Sequence, residues 1–209
     1  MSHLGVHRNR RTELIIFDCD GVLIDSEIIA ATALSAALAE DGICIQPMEL
    51  ADRFLGISDK DTFAALKSEY AAMSPSCENR YRELVLAKLD AELLVIEGVQ
   101  DVLDAIESYG VQCCVASSSS MDRLRRTLNK VGLLSYFDGK IFSSSQVGRG
   151  KPSPDLFLFA AAQCEVIPNR CLVVEDSPAG IIAAINAGMA VAGFCGTVSN
   201  ASSAKDTWS

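Results

Sequence analysis

The chain has 209 residues, is 49% hydrophobic and carries a formal net charge of −9. A chain of this length can bury a full core and reads as one globular domain with an elaboration. With a pI near 4.7 it offers no basic field for nucleic-acid backbones or an anionic membrane surface, so any phosphate it binds must be held locally.

The opening stretch, Met1 to Arg11, is polar and basic without an apolar run and does not read as a secretory leader. No stretch approaches a membrane span. Eight cysteines (Cys19, Cys44, Cys77, Cys113, Cys114, Cys164, Cys171, Cys195) include no Cys-x-x-Cys pair and lie mostly in apolar runs. They read as reduced core thiols, which makes the cytoplasm the expected compartment.

Leu14-Ile15-Ile16 is too short for a helix and suits a buried strand. It runs through Phe17 into Asp18-Cys19-Asp20-Gly21, so Asp18 and Asp20 fall where the strand ends and a turn begins. Residues two apart in extended chain point the same way, which lets both acids address one small volume. Asp-x-Asp-Gly is equally the composition of a plain polar turn. Two anions brought together in a cleft need a cation or a shared proton, and this pair asks for a metal.

Helical spacing follows over 27–40, closed by Asp41-Gly42, then over 47–55 behind Pro47. A third helix is expected from the capping pattern Ser58-x-x-Asp61 to about 72, and a fourth over 76–93 with Tyr81, Leu84, Val85, Lys88 and Leu89 on successive turns. From there the pattern alternates. Helices are predicted over 99–108, 121–130, 154–163 and 178–187, and strands over 111–116, 141–142, 171–174 and 190–194. Alternation of this kind predicts an α/β fold with a parallel sheet covered by helices. Residues 12–27 and 94–209 would form the core, and the all-helical block 28–93, inserted beside the acid pair, a natural lid or cap. The tail, Cys195 to Ser209, lacks periodicity and is expected to be a surface segment or poorly ordered.

Each later strand runs into polar residues. Val111 to Ala116 leads to Ser117-Ser118-Ser119-Ser120 at a helix start, which is either an anion site or a run of capping serines. Gly150-Lys151-Pro152-Ser153-Pro154 places a lysine in a stiff turn, and Cys171 to Val174 ends in Glu175-Asp176-Ser177-Pro178. Taken together, two acids, a serine loop, a lysine and two more acids at one sheet edge suit phosphoryl transfer. Asp18, Asp176 and the backbone carbonyl near Asp20 offer hard oxygens for Mg²⁺. Lys151, Ser117 and the Ser118 N–H could hold the phosphate, Asp18 could attack phosphorus, and Asp20 could pass the proton.

These motifs, Asp18-Cys19-Asp20-Gly21-Val22-Leu23-Ile24-Asp25-Ser26-Glu27, Val115-Ala116-Ser117-Ser118, Gly150-Lys151-Pro152-Ser153-Pro154-Asp155 and Val174-Glu175-Asp176-Ser177-Pro178-Ala179-Gly180, resemble in type and order those of the haloacid dehalogenase superfamily, in its β-phosphoglucomutase-like phosphatase branch. The resemblance implies a Rossmann-like core with a helical cap, Mg²⁺ and an aspartyl-phosphate intermediate. Asp18 looks like the nucleophile and Asp20 the acid/base. Asp18, the Asp20 carbonyl and Asp176 look like metal ligands, with Glu175 a direct or water-bridged ligand, or a brace behind the others. Two features depart from the branch. Gly56-Ile57-Ser58 is followed by Asp59 where the mutases carry an arginine, and no pattern for the usual closing strand and helix follows Phe194.

The expected function is therefore Mg²⁺-dependent hydrolysis of a small phosphorylated metabolite, a sugar or sugar-acid phosphate, by a monomer. The alternatives are a phosphosugar mutase, which Asp59 disfavours, and a noncatalytic phosphometabolite-binding protein. Arg53, Lys60 and Lys67 are the nearby cations of the helical block, and each reads as a solvated helix residue rather than a ligand contact.

Overall fold

The apolar runs become five strands, β1 (Leu14–Phe17), β2 (Gln112–Ser117), β3 (Ile141–Ser143), β4 (Cys171–Glu175) and β5 (Ala190–Gly193). In this computed structural model residues 11–137 and 139–195 are described, so the expectations for residues 1–10 and for the tail beyond residue 195 lie outside the described residues. The strands pair in parallel in the order β3-β2-β1-β4-β5, with β1 central. Ile16 stands opposite Cys114 on one side and Val173 on the other. Both faces of β1, β3 and β4 are covered, which is why they read as apolar runs, while the edge strand β5 is largely exposed.

Alternation along each strand divides the core in two. Leu14, Ile16, Cys114, Ala116 and Val173 face α7 (Asp155–Gln163) and α8 (Pro178–Asn186). Phe17 and Val115 face the opposite layer, with Leu103 and Ile106 from α5 (Val99–Ser108) and Leu124 and Leu128 from α6 (Met121–Lys130). The chain winds outward from β1 through β2 to β3 and then crosses to β4 on the other side. That reversal opens a crevice at the C-terminal ends of β1 and β4, the place where open α/β sheets bind ligands.

Four helices occupy the stretch between β1 and α5: α1 (Glu27–Ala39), α2 (Pro47–Phe54), α3 (Asp59–Glu69) and α4 (Cys77–Glu92). α1 packs against α2 and α4 and buries Ala33, Ala37 and Leu38. Tyr81, Val85 and Leu89 form the buried stripe of α4. Ser58 caps α3, its Oγ accepting from the Asp61 N–H at 3.2 Å and donating to Asp61 Oδ2 at 2.7 Å. Arg80 on α4 reaches back past α1, pairing with Asp41 at 2.7 Å and donating to the Ala37 carbonyl at 3.1 Å.

Boundaries agree with the periodic pattern to within a few residues. β2 and β4 each run one residue further than predicted, so Ser117 and Glu175 belong to the strands themselves. Short 3-10 turns at Leu134–Phe137, Ser144–Gln146 and Pro168–Arg170 escape a periodicity argument, because four residues or fewer carry no period. No helix among the described residues is long and apolar enough to cross a membrane.

Candidate active site

Asp18 leaves β1 with its N–H donating to the Val174 carbonyl at 3.0 Å, so the end of β4 fixes its backbone. Its side chain is buried, and Lys151 Nζ donates to Asp18 Oδ1 and to Glu175 Oε1 at 2.6 Å each. The other oxygen of Glu175 accepts from the Ser177 N–H and hydroxyl, at 2.8 and 2.9 Å. A buried charge is tolerable only with such partners. Glu175 is thereby a brace: it holds Lys151 in place and is itself held by the start of α8. Burial pushes the carboxyl of Asp18 well up, against the pull of Lys151 and with Glu175, Asp176 and Asp20 adding to the rise. Burial works against the ammonium of Lys151, but Asp18 and Glu175 outweigh it and hold its pKa above the ordinary lysine value.

Asp20 is surrounded differently. Its Oδ1 accepts from Ser26 Oγ at 2.5 Å and from Arg123 Nη2 at 3.2 Å, and its Oδ2 from Ser119 Oγ at 2.7 Å and Ser117 Oγ at 3.4 Å. Burial would raise its pKa, yet Arg123 and the three hydroxyls outweigh burial and lower it. Two acids two residues apart thus meet different partners, Asp18 an ammonium and Asp20 a guanidinium and hydroxyls.

The serine loop is pinned from the next strand. Ser143 Oγ donates to the Ser119 carbonyl at 2.6 Å and Ser144 Oγ to the Ser118 carbonyl at 2.9 Å. Ser118 Oγ donates to the Gly56 carbonyl at 3.0 Å, which ties the loop to the α2–α3 connection. Between them lies a cavity of about 110 Å³. Asp18, Asp20, Ser117, Ser118, Ser119 and Arg123 line it from the sheet side, and Leu50, Phe54, Ile57, Asp59, Phe63 and Tyr81 from the four helices. Arg53 instead pairs with Glu69 at 2.5 Å and Lys67 with Glu78 at 3.4 Å, both outside the cavity. Lys60 is exposed.

Asp176 and Glu27 complete the acid set. A Cβ built on Gly21 would meet Asp176 Oδ2 at 2.0 Å and Glu27 Cδ at 3.1 Å, so only glycine lets both carboxylates close on this turn. Burial, with Glu27 and Glu175 adding, pushes Asp176 up to about 8, and burial with Asp20 and Asp18 adding pushes Glu27 up to about 7. Such crowding of hard oxygens fits a divalent cation. Among the described residues no three His, Cys, Asp or Glu side chains converge as a ready cage. Lys151 bridges Asp18 and Glu175, while Asp176 leans toward Gly21. Mg²⁺ does not require a cage, since it keeps waters and binds through one or two carboxylates and substrate phosphate. Asp18, Asp176 and the Asp20 carbonyl are the oxygens that could hold it, with Glu175 behind them.

The structure brings Asp18, Lys151 and Glu175 into direct contact, and sets Asp20 against Ser117. The sequence reading gives several residues of the site no role of their own: Ser26, Glu27, Ser119 and Tyr81 appear there only within a motif or a helix, and Arg123, Ser143 and Ser144 are not singled out. Arg123 left a signal, for it falls on the buried stripe of α6 with Leu124, Thr127 and Leu128. A basic residue on such a stripe is seldom a bystander.

The haloacid dehalogenase-like hydrolase profile matches residues 15–194. The chain is 35% identical to the 6-phosphogluconate phosphatase of Escherichia coli (strain K12) over 187 residues, covering 88% of this chain and 83% of that protein. It is 30% identical to the phosphorylated carbohydrates phosphatase of Thermotoga maritima, covering 85% of this chain and 82% of the relative. Among solved structures, a conserved haloacid dehalogenase-like protein from Agrobacterium tumefaciens superposes with a TM-score of 0.74 at 42% identity, covering 88% of this chain and 82% of the other.

Proposed function

Because the chain belongs to the haloacid dehalogenase-like hydrolase family, we propose that it is a Mg²⁺-dependent phosphatase that hydrolyses a small sugar or sugar-acid phosphate through an aspartyl-phosphate on Asp18. The observation that carries this reading is the pair of differently set acids: Asp18 buried against Lys151, and Asp20 two residues away among hydroxyls and Arg123. The two relatives are phosphatases by name, one of 6-phosphogluconate and one of phosphorylated carbohydrates.

In the first half-reaction an oxygen of Asp18 attacks phosphorus in line, forming a carboxyl–phosphate bond as the ester P–O bond breaks. Asp20 must be protonated when the ester is bound, against the pull of Arg123 and the hydroxyls that lowers its pKa in the free site, and then donates to the departing alkoxide oxygen. In the second, Asp20 takes a proton from water, the water oxygen attacks phosphorus, and Asp18 is released as carboxylate with inorganic phosphate. Lys151 holds Asp18 in place and offsets charge on the phosphoryl oxygens, while Ser117 and the Ser118 N–H bind them. Bound Mg²⁺ would supply further neutralisation of those oxygens, held by Asp18, Asp176 and the Asp20 carbonyl.

The four-helix block, 28–93, acts in this reading as a cap on the core formed by 12–27 and 94–209. The cavity between the two and the Ser118–Gly56 hydrogen bond support it. Hydrolysis is favoured over mutase activity because Arg123 is the one basic side chain among the described residues lining the cavity, and Asp20 already engages it. Eight free thiols support a reducing, cytoplasmic setting.

Phosphate release from a panel of phosphorylated metabolites tests the reading. Activity should appear on several sugar or sugar-acid phosphates and be low on phosphopeptides. A best kcat/KM on a phosphopeptide, or no release from any small phosphomonoester, would contradict it.

A further inference from the structure

Lys151 stands on the turn before α7, outside helix and strand. The backbone of that turn is tied by the Ser153 N–H, which donates to the Gly150 carbonyl at 2.9 Å, and by Asp155, which accepts from Ser153 Oγ at 2.7 Å and from Arg149 Nε at 3.2 Å. These ties set the backbone. The Lys151 side chain is only 1% exposed, so its ammonium is placed by what it meets inside the protein.

Asp18 and Glu175 each accept one of its N–H donors. The third contact is not a hydrogen bond: Nζ lies over the ring of Phe157, 5.0 Å from its centroid. The face of an aromatic ring is electron-rich and attracts a cation, most strongly where water is excluded. Phe157 lies in the first turn of α7 and is fully buried in the core cluster that holds Leu14, Ile16, Cys114 and Ala116. Packing alone asks only for apolar volume at such a position, which leucine or methionine would supply. Phe159, two residues on, turns edge-on to Phe142 at 5.6 Å, whereas the ring of Phe157 is turned to the ammonium.

The partners of Lys151 do not all last through the reaction. Once Asp18 carries the phosphoryl group its carboxyl is no longer an anion, so this partner weakens while the phosphoryl oxygens still need the cation. Glu175 and the ring keep their charge distribution unchanged. Resting on the phosphatase reading above, we propose that Phe157 is a positioning residue, whose ring holds the Lys151 ammonium at the phosphoryl site by a cation–π contact that an aliphatic residue of equal volume cannot make.

The test replaces Phe157 by phenylalanines carrying one, two and three ring fluorines, which draw electron density from the ring face and leave its volume nearly unchanged. With Mg²⁺ and a small sugar phosphate, kcat/KM should fall stepwise along the series, reaching a loss of about tenfold or more at three fluorines, the scale of one desolvated cation–π contact. Phe157→Leu should lose at least as much. In a Lys151→Met background the series should stay level within about twofold, because the cation it serves is gone. A core-filling role would leave the series level with Lys151 present, and that result overturns the proposal, as does an equal fall in the Lys151→Met background. Calorimetric binding of inorganic phosphate with Mg²⁺ to the same proteins needs no turnover. If the wild type hydrolyses no ester, the phosphatase reading fails, and a graded loss of phosphate affinity along the series still upholds the role of Phe157, while level or absent affinity sinks it.

Discussion

Asp18 and Asp20 are separated by one cysteine, and they differ in their neighbours rather than in their own chemistry. Asp20 is held by Ser26, Ser119 and Arg123, none of which contacts Asp18 in the hydrogen-bond network. Asp20→Asn should therefore slow turnover by roughly 10²-fold or more through loss of proton transfer. Metal affinity should persist, because the backbone carbonyl is untouched. Metal titration beside single-turnover kinetics checks this, and lost affinity with normal chemistry would contradict it. Lys151 is bonded to both Asp18 and Glu175, and truncating it strands two buried carboxylates. Lys151→Ala should lower kcat/KM by roughly 10²–10³-fold and destabilise the fold by about 3–5 kcal/mol. Urea unfolding and steady-state kinetics on one preparation read both, and unchanged values would reduce Lys151 to an ordinary lysine. The acids, serines and lysine were legible as residue types at strand ends. Arg123 was legible only as a basic residue on a buried helical stripe. That its guanidinium meets Asp20 depends on a contact spanning 103 residues of sequence, which no local pattern encodes.

At the scale of elements, short connections set how helices meet the sheet. Gly56, between α2 and α3, has φ +72°, and a Cβ there would sit 2.3 Å from Ser177 Oγ. Ser177 cannot give way easily, since its hydroxyl donates to Glu175 and accepts from the Gly180 N–H at 3.1 Å. Gly56→Ala should thus hold the helical block off the serine loop and lower kcat/KM by up to about 10²-fold, the cost of an ångström of misplacement. Unaltered kinetics with normal thermal stability would show that this loop does not seat on Ser177. Helices with clear stops were well placed from sequence: α5 follows Gly98 and α6 follows Ser120, which accepts from the Arg123 N–H at 3.4 Å, and both begin and end where the pattern predicts. α3 ends three residues early, at Glu69, because Tyr70 turns extended while still bonded to Leu66. The serines after β3 went unread, since Ser143 and Ser144 look like ordinary turn residues until their hydroxyls are seen on the serine-loop carbonyls.

The whole molecule is an acidic α/β sheet whose central strand delivers an acid cluster to the crevice beside β4, under four helices that supply an apolar ceiling. Its parallel pairing follows from the alternation of elements, while the strand order β3-β2-β1-β4-β5 is seen only in the fold, and the residues matched to the family span nearly the entire described chain. Burial and neighbouring carboxylates push Asp18, Asp176 and Glu27 up, with Lys151 opposing at Asp18 and Asp176, so a divalent cation should govern activity as a whole. The most direct measurement is phosphate release from a small sugar-acid phosphate by wild type and Asp18→Asn, each with Mg²⁺, with chelator, and with Mg²⁺ restored. Wild type should turn over with Mg²⁺, fall below about a tenth of that rate with chelator and recover on restoration, while Asp18→Asn stays below a tenth throughout. Turnover indifferent to chelation, or an Asp18→Asn variant that keeps more than that tenth, would contradict metal-assisted attack by Asp18.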